Sequence, residues 1–416
     1  MPQRESHDGV RPRTAVLTRG FEPLLSFGSA RPAVFRSSTY VFATPEAAER
    51  AFAITLGKAQ PEDGERADLI YSRLSHPNAE ILEDQLVPLE AGAHDAAVFN
   101  SGMAAIMTAV FAFARPHGSV VYTTPLYGGT TGLMHNFLEP FGMQAIPVHA
   151  GDTEGIDRAI RAARNLCIVY LETPANPTLV MTDLRHAAET AKHHPDRPIV
   201  MVDNTFLGPA FQHPLTLGAD LVLYSATKFL SGFSDLLAGV ALARDPQVIR
   251  LLRRQRNMFG NILQPDECWL LDGRLPTVSL RMNRQSKNAQ RIAEALHSRS
   301  PVSRVIYPTL FDDPEQKRIF EAQCDYPGAL FSLDFRGGKE AAFTLLRHLK
   351  IARNAVSLGG VESLTCHPRT TTHASMSEAE LQEAGVGEGL VRVSVGIEDW
   401  RDLLADFEQA LSHVRA

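Results

Sequence analysis

Between residues 78 and about 272, short apolar runs alternate with stretches of helical period. Residues 96–99, 119–123, 166–171, 199–202 and 220–224 have the length and the Val, Ile and Leu content of strands, and residues 103–114 have the length and pattern of a helix. Strands that alternate with helical stretches predict an α/β fold with a mostly parallel central sheet and helices on both faces. After about residue 275 the pattern becomes mixed. Residues 330–335 and 390–395 read as strands and residues 399–414 as an amphipathic closing helix, which together predict a smaller α+β domain. The first 72 residues mix Arg, Pro, Ser and Gly with short apolar pieces and read as an arm, in which residues 57–68 are polar enough for an exposed loop. The expected division is an N-terminal arm over 1–72, a large domain over 73–272 and a small C-terminal domain over 273–416. No internal repeat or low-complexity tract interrupts it.

Composition changes this picture little. At 416 residues the chain is too long for one compact core, and 44% hydrophobic with 21% charged residues is ordinary for a globular protein. A net charge of −6 gives no reason to expect nucleic acid as a partner. The basic cluster Arg250, Arg253, Arg254 and Arg256 is spaced like the wet side of a helix. No apolar run reaches 18 residues and the first residues lack the apolar core of a signal peptide, so no membrane is expected and the expected compartment is the cytoplasm. Cys167, Cys268, Cys324 and Cys366 are scattered without paired spacing, which predicts reduced, structural thiols. His367 and His373 stand near Cys366 without a convincing ligand set, so they are read as structural and no metal is expected.

The chemistry concentrates after the strand-like run 220–224, in Ser225-Ala226-Thr227-Lys228-Phe229-Leu230-Ser231-Gly232. A lysine after a strand is more often a solvated loop residue. Between two hydroxyls it also suits a Schiff-base lysine, whose usual partner is pyridoxal 5'-phosphate (PLP), with Ser225 and Thr227 as donors to the phosphate. Upstream, residues 199–202 deliver Asp203 to the C-terminal end of a strand, where ligands bind in open α/β sheets. A carboxylate there keeps a pyridine nitrogen protonated, so that the ring can act as an electron sink. Ser101-Gly102-Met103 lies between a strand and a helix, and the free amides and positive dipole end of such a helix start suit a phosphate. Arg392 sits in a run of valines, where an unpaired charge is costly. It reads either as a structural ion pair or as a site cation.

These segments, with Tyr71-Ser72-Arg73, Leu126-Tyr127-Gly128-Gly129-Thr130, Glu172-Thr173-Pro174-Ala175-Asn176-Pro177, Val202-Asp203-Asn204-Thr205, Ser357-Leu358-Gly359-Gly360 and Val391-Arg392-Val393-Ser394-Val395-Gly396, stand in the order found in a known family. The chain resembles, over nearly its whole length, the PLP-dependent enzymes of cysteine and methionine metabolism. That family includes cystathionine γ-synthase, the cystathionine lyases, O-acylhomoserine sulfhydrylase and methionine γ-lyase. The resemblance implies the PLP-dependent transferase-like fold (fold type I, aminotransferase-like). It also implies the roles of the site residues: Lys228 as the aldimine lysine, Asp203 at the ring nitrogen, and Gly102, Met103, Ser225 and Thr227 at the phosphate. Tyr127 would stack on the ring and assist a leaving group, Asn176 would contact the ring hydroxyl, and Arg392 with Ser357 would hold the substrate α-carboxylate. Tyr71 and Arg73 would reach the phosphate of a neighbouring subunit, which implies a homo-oligomer, a tetramer built from dimers that share active sites.

The activity so implied is γ-replacement or γ-elimination on a homoserine-derived or sulfur-containing L-amino acid, through a vinylglycine-type intermediate. β-Elimination from cystathionine or cysteine, a biosynthetic γ-substitution with a carbon nucleophile and a non-catalytic PLP-binding protein stand as alternatives. Three departures bear on substrate. Gly129 stands where methionine γ-lyases typically carry cysteine, which counts against a dedicated methionine γ-lyase. Phe233 stands where histidine is usual, and the loop 57–68 is long.

Overall fold

The computed structural model describes residues 10–62, 65 and 68–415. Among these residues twelve strands form two sheets. The larger contains β1 (Asp95–Phe99), β2 (Ser119–Thr124), β3 (Gln144–His149), β4 (Leu166–Glu172), β5 (Ile199–Asp203), β6 (Leu221–Ser225) and β7 (Gly239–Ala243), in the order β1-β7-β6-β5-β4-β2-β3. Strands β6, β5, β4, β2 and β3 run parallel, and β7 is antiparallel to both of its neighbours. The fold is thus α/β with a mostly parallel central sheet, as the alternating pattern predicts. Neither β3 nor β7 is foreseen in that pattern.

Successive side chains of the strands feed opposite layers. Phe99, Tyr122, Ile168, Tyr170 and Met201 pack with Ala105 and Ala109 of the helix Gly102–Phe113 and with Ile249 and Leu252 of the helix Pro246–Phe259. Val121, Val169, Leu171, Val200 and Val202 pack on the other face with Ile156, Ile160, Leu184 and Ala187 of the helices Thr153–Ala162 and Leu184–His193. A sheet covered on both faces explains why β4 and β5 are buried at every position.

The smaller sheet holds β8 (Val302–Ile306), β9 (Leu330–Phe335), β10 (Arg353–Asn354), β11 (Leu364–Cys366) and β12 (Val391–Ser394), in the order β10-β11-β12-β9-β8. Val391 and Val393 join a core with the helices Val278–Leu296, Gly338–His348 and Trp400–Leu411. By the same two-residue period, Arg392 between them belongs to the opposite face.

One sequence expectation gains detail and one changes. The arm contains regular structure, including a helix Pro45–Thr55 capped by Thr44. Arg50 of that helix pairs with Glu65 and bonds the Gln60 carbonyl, which ties the loop back to it, while residues 63, 64, 66 and 67 of the loop lie outside the described residues. The reading of Arg250 to Arg256 as a solvated face is corrected. Arg250 and Arg254 are exposed, but Arg256 is buried against Glu83, and Arg253 pairs with Glu83 and Asp95. Arg253 and Arg256 lie three residues apart and share the face of the helix that meets β1. Glu83, on the helix Pro77–Leu86 remote in sequence, supplies the charge that lets them be buried.

Candidate active site

The C-terminal ends of β4, β5 and β6 lie side by side. They place Glu172 in register with Asp203, and Ser225 two residues beyond the partner of Asp203. Asp203 is buried, and its Oδ1 accepts from the Thr205 amide at 3.0 Å and the Thr205 hydroxyl at 2.6 Å. The Thr205 hydroxyl oxygen in turn accepts from the Ser225 amide at 2.9 Å. Burial pushes the Asp203 carboxyl up from its ordinary pKa, and the two Thr205 donors and the neighbouring Tyr170 hydroxyl oppose that rise.

Ser101 caps the helix Gly102–Phe113, its hydroxyl accepting from the Ala104 amide. The amides of Gly102 and Met103, in the first turn, have no acceptor within the helix. Gly102 is needed because the helix start abuts β6: a Cβ there would stand 2.9 Å from Ser225 Cβ. The Ser225 side chain therefore lies against the helix N-terminus. Thr227 is held nearby, its hydroxyl oxygen accepting from the Ala238 amide at 3.1 Å.

Lys228 Nζ donates to Ser357 Oγ at 2.8 Å. Burial first, then the Arg392 guanidinium, push the Lys228 pKa down from 10.5 to about 8. Ser357 sits at φ 89°, a conformation a residue with a side chain rarely adopts. It is held there from two sides, since its carbonyl accepts from Arg392 Nη2 at 2.8 Å. Arg392 Nη1 donates to Asn176 Oδ1 at 3.0 Å, and the Asn176 carbonyl faces His373 Nε2 at 3.1 Å. Arg392 is 3% exposed, and among the described residues its partners are neutral oxygens and no carboxylate pairs with it. His367 is fixed between Thr370 and the Glu388 carbonyl.

Tyr127, 48% exposed as a residue, opens a short helix, and its amide donates to Glu172 Oε2 at 2.9 Å. A Cβ at Gly129 would come within 2.8 Å of Tyr127 Cε1 and 2.9 Å of Met103 Sδ, so any side chain at 129 must displace one of them. Phe233 lies under the guanidinium groups of Arg274 and Arg281, at 4.9 and 5.7 Å. Tyr71 and Arg73 stand apart from this constellation within the chain. Both are exposed; Arg73 lies 5.8 Å from the centre of the Tyr71 ring and donates to the Asn257 carbonyl.

The structure thus brings Lys228, Ser357, Arg392 and Asn176 into one hydrogen-bonded chain, sets Gly102 against Ser225, and sets Met103 and Tyr127 about Gly129. Thr205, Glu172 and Tyr170 were not singled out in the sequence. Thr205 and Glu172 lie within quoted segments, and what finds them is the alignment of strand ends, which needs the sheet register.

A desolvated lysine, a buried carboxylate and a helix start abutting a serine make a coherent donor and acceptor set for a phosphorylated pyridine aldehyde, and the half-exposed Tyr127 ring offers a planar surface. The fold and this site define a PLP-dependent enzyme. The chain belongs to the family of Cys/Met metabolism PLP-dependent enzymes, whose family model matches residues 13–412. It is 37% identical over 399 residues to the L-methionine γ-lyase of Pseudomonas putida, covering 96% of each chain. It is 40% identical over 344 residues to the cystathionine β-lyase of Bacillus subtilis, covering 83% of this chain and 86% of that one. Among solved structures, cystathionine γ-synthase from Xanthomonas oryzae pv. oryzae in complex with cystathionine matches with a TM-score of 0.87 at 32% identity, over 97% of this chain and 98% of that one.

Proposed function

We propose that this enzyme catalyses γ-elimination or γ-replacement on a homoserine-derived or sulfur-containing L-amino acid. The observation that carries an amino-acid substrate is Arg392, a buried guanidinium bonded to neutral oxygens in a chain that begins at Lys228 Nζ, and γ-chemistry is supported by the 37% identity to an L-methionine γ-lyase. Such a cation is stabilised by an anion that arrives with the substrate, and an α-carboxylate fits. When bound, PLP supplies an electron sink that stabilises negative charge on the substrate carbons.

The protein's own groups then divide the work. Lys228 is the covalent anchor and, once free, the base that moves protons between substrate carbons, for which a pKa near 8 is well placed. Asp203 holds the proton on the ring nitrogen. The amides of Gly102 and Met103 and the hydroxyls of Ser225 and Thr227 receive the phosphate, and Asn176 receives the ring hydroxyl. Tyr127 covers the ring and gives a proton to the departing γ-substituent. Ser357 orients both Lys228 and Arg392. Tyr71 and Arg73 serve the phosphate of a neighbouring subunit, which fits a homo-oligomer, a tetramer of dimers, because both side chains are exposed in their own chain and stand apart from its site.

The same reading keeps an arm over 1–72, a large domain over 73–272 and a small domain over 273–416, supported by the confinement of the two sheets to residues 95–243 and 302–394. It also keeps a cytoplasmic enzyme. Among the described residues no helix is long and apolar enough to cross a membrane.

β-Elimination is the second reading, favoured by the 40% identity to a cystathionine β-lyase. The deciding experiment supplies L-methionine, L-cystathionine, L-cysteine, O-acetyl-L-homoserine and O-succinyl-L-homoserine, each with and without a thiol, and identifies the keto acid. Release of 2-oxobutanoate or capture of the thiol supports γ-chemistry. Pyruvate alone from cystathionine or cysteine overturns it in favour of β-elimination.

A further inference from the structure

Glu172 is a buried carboxyl to which no role has so far been given. It ends β4 in register with Asp203, is 5% exposed, and among the described residues no arginine, lysine or histidine pairs with it. Its own amide donates to the Thr123 hydroxyl at 3.0 Å, which fixes the backbone against the end of β2. Its Oε2 accepts from the amide of Tyr127 at 2.9 Å. Burying a carboxyl without a cation is costly, and doing so beside a second carboxyl is costlier still. An apolar residue would fill the space at lower cost. What an apolar residue cannot do is accept the Tyr127 amide.

We infer that Glu172 is a positioning residue for the reaction, anchoring the turn that carries Tyr127 to the same strand ends that carry Asp203. The turn needs such an anchor. Tyr127 starts its helix without a side-chain cap, and Gly128 and Gly129 follow it, so little else in the local sequence fixes the ring. Burial, then the Asp203 carboxylate, push the Glu172 pKa up, while Asp203 is favoured as the charged member by the two Thr205 donors. A neutral carboxyl still offers a carbonyl oxygen to the Tyr127 amide, so glutamine is a fair substitute and alanine is not.

The inference rests on the role of Tyr127 proposed above, and the test separates the two. E172Q, E172A, Y127F and the double variant E172A/Y127F are compared as PLP-loaded enzymes. The parameters kcat and KM are measured on L-cystathionine, or on whichever of the five amino acids releases keto acid fastest. Expected are a kcat within about threefold of wild type for E172Q, and a kcat lower by about 10- to 100-fold for E172A with KM within about threefold. In the double variant, loss of Glu172 should cost less than about twofold in kcat beyond Y127F, because the proton-donating hydroxyl that Glu172 places is already gone. Should E172A fail to fold, E172M keeps the volume without the acceptor and takes its place. An unchanged kcat in E172A, or an equal loss in E172Q and E172A, overturns the inference. Wild-type kcat in Y127F overturns the role of Tyr127 itself. A lowered kcat in Y127F with fully additive losses in the double variant overturns the role of Glu172 alone.

Discussion

Two buried arginines in this molecule are treated in opposite ways. Arg256, 2% exposed, donates to Glu83 Oε1 at 2.7 Å and to the Val98 carbonyl at 2.7 Å, and Arg253 beside it bonds Glu83 and both oxygens of Asp95. Arg392, as deeply buried, has Asn176 Oδ1 and the Ser357 carbonyl for partners, and the other cation nearby, Lys228, has a serine hydroxyl. Ion pairs of the first kind join the helix Pro77–Leu86, β1 and the helix Pro246–Phe259 and carry their counter-charge within the chain. The second group has no counter-charge among the described residues, and the proposed function places the substrate α-carboxylate there. Arg281 sharpens the distinction, since it too lacks a carboxylate but uses its donors on Thr277 and the carbonyls of Phe229, Leu230 and Arg274, and so braces the turn after Lys228.

The largest effect that tests this contrast lies in the region without a counter-charge. Lys228→Ala is expected to fold and to bind PLP weakly while turnover falls by about three to five orders of magnitude, since the nucleophile and the proton carrier are one group. Keto-acid release by the purified variant reads the loss, and near-normal activity would refute the assignment. Subunit mixing extends the test. Inactive Arg73→Ala and inactive Lys228→Ala subunits that exchange should regain part of the activity, and no regain in mixtures shown to exchange would remove Arg73 from the neighbouring site.

Next in size is a matched pair of charge deletions. Glu83→Gln leaves Arg256 buried without its counter-charge and should destabilise the fold by about 3 kcal/mol or more, seen as a lower denaturation midpoint. Arg392→Leu removes a cation that has no counter-charge, so the midpoint should stay or rise, while kcat/KM falls by about 100-fold or more as the substrate carboxylate loses its partner. If Arg392→Leu were as destabilising as Glu83→Gln, Arg392 would be structural and the contrast between the regions would fail.

Much of this site is legible in the sequence and part of it is not, for a physical reason. Lys228, Asp203 and Gly102 sit at strand ends or helix starts, and an apolar run followed by a polar residue marks such places locally. The parallel sheet follows from the same alternation. Glu172, Thr205 and the Ser357 conformation become meaningful through neighbours on other strands and loops, in the register of β4 with β5, in the bond from the Ser225 amide to Thr205 and in the contact of Arg392 with Ser357. The misreading of Arg253 and Arg256 has the same origin. A basic helix face looks wet until Glu83, far away in sequence, is known to stand beneath it.

The smallest effect is on stability, and its sign follows from the Lys228 pKa. In the PLP-free protein, folding lowers that pKa from 10.5 to about 8, so the folded state binds the proton less tightly than the unfolded chain. Lysine therefore costs stability at pH values below about 8, and the cost fades as pH rises from about 8 to 10.5, above which both states hold the neutral amine. Lys228→Met, which fills similar space without a charge, should be more stable than the PLP-free parent at pH 7, by about 2 °C in Tm, and the gap should close toward pH 10.5. Differential scanning calorimetry of both proteins at pH 7, 9 and 10.5 measures the gap. A gap that widens with pH, or a variant less stable at pH 7, would mean that Lys228 is as well satisfied as Arg256, and the boundary drawn between the two regions would have to move.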